Sequence, residues 1–154
     1  MTDISTDHDT VVVEQLLKVP VSRAYGAFAD PKERVRWGAP SDTAVFIYDT
    51  ADFRVGGIDL ARCGAKDDPR YRVEARYIDI VEERRVVWTE TIRDLDRLLA
   101  TNITTLEFIP DGRRTRLKVT VQITSFAGVG MIRNTKAGQE GSLANMARYL
   151  EADE

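Results

Sequence analysis

The side chains in this chain best suited to chemistry are few: Glu90, Asn102 and Gln139, set among the aromatics Trp37, Tyr71, Trp88 and Phe108. A carboxylate facing a cavity must raise its pKa or find a partner, because desolvating an unpaired charge costs several kcal/mol. In that position Glu90 could act as a general acid/base or hold a ligand hydroxyl or amine. The plainer alternative places it near a cavity mouth, solvated or paired with an arginine. Trp37 and Trp88 would stack on a flat ligand or simply fill core. Gln139 would hydrogen-bond a ligand or a bridging water.

Other chemistry is excluded by what the chain lacks. Its one histidine, His8, lies in a polar, acidic N-terminal stretch, which rules out zinc sites of the usual His/Cys type and Ser-His-Asp or Cys-His arrangements in the core. No metal site and no cofactor are therefore expected. Gly56-Gly57 and Gly128-Val129-Gly130 lack the spacing of a phosphate-binding loop. The single cysteine, Cys63, permits no intramolecular disulfide and reads as an inert thiol. A net charge of −3, with both signs interspersed, argues against a nucleic-acid or anionic-membrane partner. No apolar run approaches the roughly 20 residues needed to span a bilayer. The first ten residues lack the basic-then-apolar order of a signal peptide, so the expected location is cytoplasmic.

The elements that must position these groups follow from periodicity. Val11–Lys18 reads as a strand, preceded by a frayed tail over residues 1–10. Pro20 opens a helix over Val21–Ala29, and Asp30-Pro31 ends it and caps a second short helix carrying Val35 and Trp37. The period then becomes two. Strands are expected at Thr43–Tyr48, Phe53–Cys63, Tyr71–Val81, Arg85–Ile92, Thr101–Ile109 and Thr115–Ile123, with a looser stretch at Asp94–Leu98. Pro110-Asp111-Gly112 is the strongest turn signal. From about Met131 to Glu151 the spacing is helical, with Ile132, Thr135, Gln139, Leu143, Met146 and Leu150 on one stripe.

Leu117, Val119, Val121 and Ile123 alternate with polar residues, as in an antiparallel sheet with one wet face. If they face inward, so do Tyr71, Val73, Ala75 and Tyr77, then Val86, Trp88 and Glu90, then Asn102, Thr104, Leu106 and Phe108. The expected architecture is α+β: a curved seven-stranded antiparallel sheet wrapped around a long C-terminal helix, with two short helices after the first strand. Gly56-Gly57 would supply a bend inside its strand.

The motifs resemble those of the START-like (SRPBCC, birch-pollen-allergen-like) superfamily, and within it the activator of heat-shock-protein-90 ATPase homologue family. The similarity runs through Val19-Pro20 to Ala29-Asp30-Pro31, Arg36-Trp37, Asp52-Phe53-Arg54-Val55-Gly56-Gly57, Glu83-Arg84-Arg85-Val86-Val87-Trp88-Thr89, Thr115–Thr120 and Gly141–Leu150. It implies a helix-grip fold forming a single domain over residues 11–152. It differs at Gly138-Gln139, where the family usually has Gly-Trp, so a more polar helix end of the cavity is expected.

With the residues above, this resemblance points to a binding module for a small hydrophobic or amphipathic ligand. The candidate ligand-binding residues are Trp37, Tyr71, Trp88, Glu90, Asn102, Thr104, Phe108 and Gln139, with no catalytic residue assigned. One alternative is an enzyme of cyclase or hydrolase type acting on an aromatic or polyketide-like substrate, with Glu90 as acid/base and Tyr71 or Tyr77 assisting. Another is a chaperone-interacting co-factor using the convex face. A homodimer stays open.

Overall fold

The computed structural model describes residues 5–152, so the part of the expected tail at residues 1–4 lies outside the described residues. The elements run β1 (Asp7–Leu17), α1 (Val21–Ala29), α2 (Pro31–Trp37), β2 (Ala44–Thr50), β3 (Ile58–Ala65), β4 (Asp68–Val81), β5 (Arg85–Asp94), β6 (Arg97–Asp111), β7 (Arg114–Ser125) and α3 (Val129–Ala152). All seven strands form one antiparallel sheet in the order β1-β7-β6-β5-β4-β3-β2. This is the expected α+β helix-grip, with the elements in the expected order.

Local chemistry accounts for the helix boundaries. Pro20 precedes the first turn of α1, and the Asp30 carboxylate accepts the Lys32 amide at 2.9 Å to cap α2, with Pro31 in its first turn. In the β6–β7 hairpin Asp111 pairs with Arg114 across Gly112, whose φ of 63° suits a tight reversal.

Three expectations need correction. Residues 7–10 are not a tail: they pair with β7 from Asp7↔Ser125 to Thr10↔Gln122, and His8 Nδ1 lies 3.1 Å from Thr124 Oγ1. The end of β7 offers backbone groups that need partners, and polar side chains do not prevent that pairing. The stretch Asp94–Leu98 is also tighter than expected. Leu95 and Asp96 form the turn, with Leu95 at φ 55°, so β5 and β6 pair almost to their ends.

The third correction concerns Gly56-Gly57, which lies in the turn leading into β3, not inside the strand. Gly56 donates to the Tyr77 carbonyl at 2.8 Å, and Tyr77 donates back to the Gly57 carbonyl at 3.1 Å. The turn is thereby stitched to β4 beside a register shift between Tyr77 and Asp79. Such a shift bends a strand and increases its twist.

The inward register is the expected one. Leu117, Val119, Val121, Ile123, Leu106, Phe108, Val86, Ala75 and Tyr77 are buried, and Leu143, Met146 and Leu150 of α3 pack onto them. Polar links hold α3 against α2 and the residues that follow it. Ser142 Oγ donates to the Gly38 carbonyl at 2.6 Å, Asn145 donates to the Ala39 carbonyl, and Tyr149 OH donates to Glu33 at 2.7 Å.

A Cβ at Gly57 would lie 2.1 Å from the Asp52 carbonyl oxygen and 2.9 Å from that of Arg54, so the turn must open to admit it. Gly57→Ala is therefore expected to cost at least about 2 kcal/mol, read from the urea midpoint. An unchanged midpoint would remove the turn from its role in shaping β3.

Candidate functional site

Between α3 and the concave sheet lies a cavity with two lobes. The inner lobe, of about 150 Å³, is walled mainly by apolar side chains, among them Phe28, Trp37, Ala75, Trp88, Leu106 and Leu143. The outer lobe, of about 640 Å³, is more polar and reaches the exposed Arg97 and Asn134. Phe46, Val73, Glu90, Gln139 and Ser142 border both lobes and form the waist between them. A larger open groove runs along the free edge of β2 beside α2, but the candidate residues do not converge there.

Glu90 is the ionisable group at the waist. It pairs across the sheet with Asn102 on one side and Ala75 on the other. Trp88, two residues away on the same face, donates its indole N–H to Glu90 Oε1 at 3.3 Å. Asn102 accepts the Thr104 hydroxyl at 2.8 Å, and both side chains support the carboxyl. Burial pushes the Glu90 pKa up, against the opposing pull of hydrogen bonds from Trp88, Asn102 and Thr104. Burial together with the Glu90 charge raises the Cys63 thiol to about 11, which fits the inert thiol expected there.

Not every sequence-predicted residue reaches the cavity. Trp37 lines the inner lobe, although its indole N–H is engaged by the Ala27 carbonyl at 3.1 Å. Trp88 also lines the inner lobe, stacked on Phe28 at 5.5 Å between ring centroids. Tyr71 and Asn102 line the outer lobe, and Gln139 lies at the waist. Thr104 is fully buried beside Asn102, to whose Oδ1 its hydroxyl donates, and does not line the cavity. Phe108 is not on the cavity wall. It packs edge-on against Tyr25 and Phe28, because α1 crosses the sheet at that end.

The structure also shows a polar group that sequence reasoning missed. Arg34 of α2 is buried, with one guanidinium nitrogen 3.2 Å from Asp59 Oδ2 and 2.9 Å from Tyr77 OH, and its Nε donates to the Phe28 carbonyl at 2.8 Å. Tyr77 OH donates to Asp59 Oδ2 at 2.5 Å, and the Asp52 amide donates to Asp59 Oδ1 at 2.8 Å. The guanidinium also lies over the rings of Phe28 and Tyr48. Burial opposes the Arg34 charge, but Tyr48, Tyr77 and Asp59 outweigh it and raise its pKa. Burial pushes the Tyr48 and Tyr77 phenols up, so both stay protonated.

Asp59 was hard to foresee because its neighbours point the wrong way. Ile58 and Leu60 are exposed on the outer face while Asp59 and Ala61 are buried, so hydrophobic alternation gives the opposite register for β3. Among the described residues no group of three His, Cys, Asp or Glu side chains is arranged to hold a metal.

Two outcomes test this arrangement. Asp59→Asn leaves Arg34 without its counter-charge and is expected to cost about 3–5 kcal/mol in urea unfolding, whereas Tyr77→Phe costs about 1–2 kcal/mol. For Glu90, a raised native pKa means that the native state binds more protons than the unfolded chain. Its contribution to stability is complete below the unfolded glutamate pKa, near about 4.3, and is lost as pH rises through the native pKa. Glu90→Gln should therefore gain Tm over the parent progressively as pH is raised above that range. A pH-independent Tm difference would contradict the raised pKa.

Comparison with known proteins agrees with this architecture. The chain aligns with the Mll3558 protein of Rhizobium loti at 32% identity and a TM-score of 0.83, covering 95% of this chain and 99% of that one. A protein from Rhizobium leguminosarum is 26% identical with a TM-score of 0.81, covering 96% and 97%. An AHSA1-like protein from Aeromonas hydrophila shares the fold at 20% identity and a TM-score of 0.74, covering 94% of each chain. No curated protein matches significantly. The model of the family "Activator of Hsp90 ATPase homolog 1-like protein" matches residues 18–151. With its motifs, its register and this match spanning most of its length, the chain belongs to the Activator of Hsp90 ATPase homolog 1-like protein family.

Proposed function

We propose that this protein binds a small hydrophobic or amphipathic molecule in the cavity between its sheet and α3. The observation that carries the reading is the two-lobed space itself. An apolar inner lobe joins a roomier polar outer lobe through a waist holding a few convergent polar groups. The outer lobe of about 640 Å³ falls within the size range of small-molecule sites, and a mostly apolar lining with few polar groups is their usual make-up. Gln139 stands where the family usually carries a tryptophan, which leaves the waist more open and more polar.

One observation favours a catalytic reading as the second choice. Glu90 faces the cavity with a raised pKa, as a general acid would require. Tyr77 is a weak assistant for such chemistry, since its hydroxyl is committed to Asp59 and Arg34. Tyr71 remains available on the outer-lobe wall.

Displacement of an environment-sensitive hydrophobic dye, with mass spectrometry of extracts from the purified protein, tests the binding reading. The parent should bind the dye and release it to apolar competitors. Gln139→Trp, which fills the waist, should weaken dye binding at least about ten-fold while leaving the unfolding midpoint near that of the parent. No dye binding by the parent, or undiminished binding by the variant, defeats the proposal.

A further inference from the structure

The Glu90 carboxylate borders both lobes of the cavity, and among the described residues it has no counter-charge. Its polar neighbours are the neutral Trp88 indole, Asn102 amide and Thr104 hydroxyl. Of the arginines on the cavity wall, Arg34 is engaged with Asp59, Tyr77 and the Phe28 carbonyl, and the exposed Arg97 borders only the outer lobe. Among the described residues no lysine or arginine forms an ion pair with Glu90. The surrounding wall is aromatic, with Trp88 and Tyr48 on the inner lobe, Tyr71 on the outer lobe and Phe46 bordering both.

A shielded carboxylate beside aromatic rings is suited to an organic cation. The carboxylate supplies the charge, and the rings supply a negative quadrupole face that a desolvated ammonium group favours. A ligand carboxylate would meet like-charge repulsion, and a pure hydrocarbon would leave the Glu90 charge uncompensated. The inner lobe limits the apolar part. At about 150 Å³ it matches the volume of a dry cavity that admits one benzene ring.

We infer that the cavity selects primary or substituted amines carried on a small aromatic or compact apolar body. The ring would lie in the inner lobe, the ammonium group at the waist against Glu90, and any further substituent in the outer lobe towards Asn134 and Arg97. This rests on the ligand-binding reading above and narrows it to one chemical class. Burial raises the Glu90 pKa, and a cation at the waist would oppose that rise by supplying a counter-charge.

The test is a matched series read by indole fluorescence and calorimetry at pH 8: 2-phenylethylamine, 2-phenylethanol and 3-phenylpropionate. The amine should bind at least about ten-fold more tightly than the alcohol, and the carboxylate more weakly than either. Glu90→Gln, checked for native fold by circular dichroism, should abolish the preference of amine over alcohol. The ratio of affinities is the readout, so a general loss of affinity does not imitate the result. Equal binding of amine and alcohol by the parent, or a preference that survives in Glu90→Gln, overturns the inference but leaves the cavity a neutral-ligand site. Failure of the whole series and of the dye overturns both this inference and the binding reading.

Discussion

The buried Arg34–Asp59–Tyr77 cluster is the constraint on which the rest of the arrangement turns. A guanidinium in a low-dielectric interior is tolerated only when its charge is met and its donors are used. Here the donors reach Asp59 of β3, the hydroxyl of Tyr77 on β4 and the carbonyl of Phe28 at the end of α1. Asp59 spends its other oxygen on the Asp52 amide, which draws the turn containing Gly56-Gly57 against β4. One cluster therefore ties α1, α2, the turn and two strands. It accounts for β3 presenting Asp59 inward and Ile58 and Leu60 to solvent.

That cluster also helps shape the cavity. It forms part of one wall of the inner lobe, while α3 is held across the opening by hydrogen bonds from Ser142 and Asn145 to the carbonyls after α2. A Cβ at Gly141 would lie 2.7 Å from the Pro40 carbonyl oxygen, so the close approach of helix and loop depends on that glycine. Fixed at this end and packed through Leu143, Met146 and Leu150, α3 covers the concave face without filling the space above Glu90. The polar groups in this structure thus divide into two kinds. Arg34 and Asp59 satisfy one another, whereas Glu90 has hydrogen bonds but, among the described residues, no opposite charge.

Much of the fold was legible from local signals. The alternation from Leu117 to Ile123, the cap at Asp30-Pro31, the turn at Gly112 and the stripe through Ile132, Leu143, Met146 and Leu150 all report physics that acts within a few residues. The same periodicity placed Glu90, Asn102 and Trp88 on the inner face, because one strand's register carries across an antiparallel sheet. Local signals misled where a long-range partner decided the outcome. Residues 7–10 became strand because β7 was there to pair with them, and Phe108 lies away from the cavity because α1 packs over it.

By itself, then, the sequence determined the element order, the α+β class, the inner face of most strands and the residues available for chemistry. Periodicity, capping and turn preference are properties of neighbouring residues and survive without a tertiary context. The tertiary structure alone decided that Arg34 and Asp59, 25 positions apart, would neutralise each other, and that Glu90 would have no such partner among the described residues. Charge compensation depends on distance in space, and no spacing rule along the chain encodes it. For the same reason the size and polarity of the cavity emerged only when α3, Gly38 and the sheet were brought together.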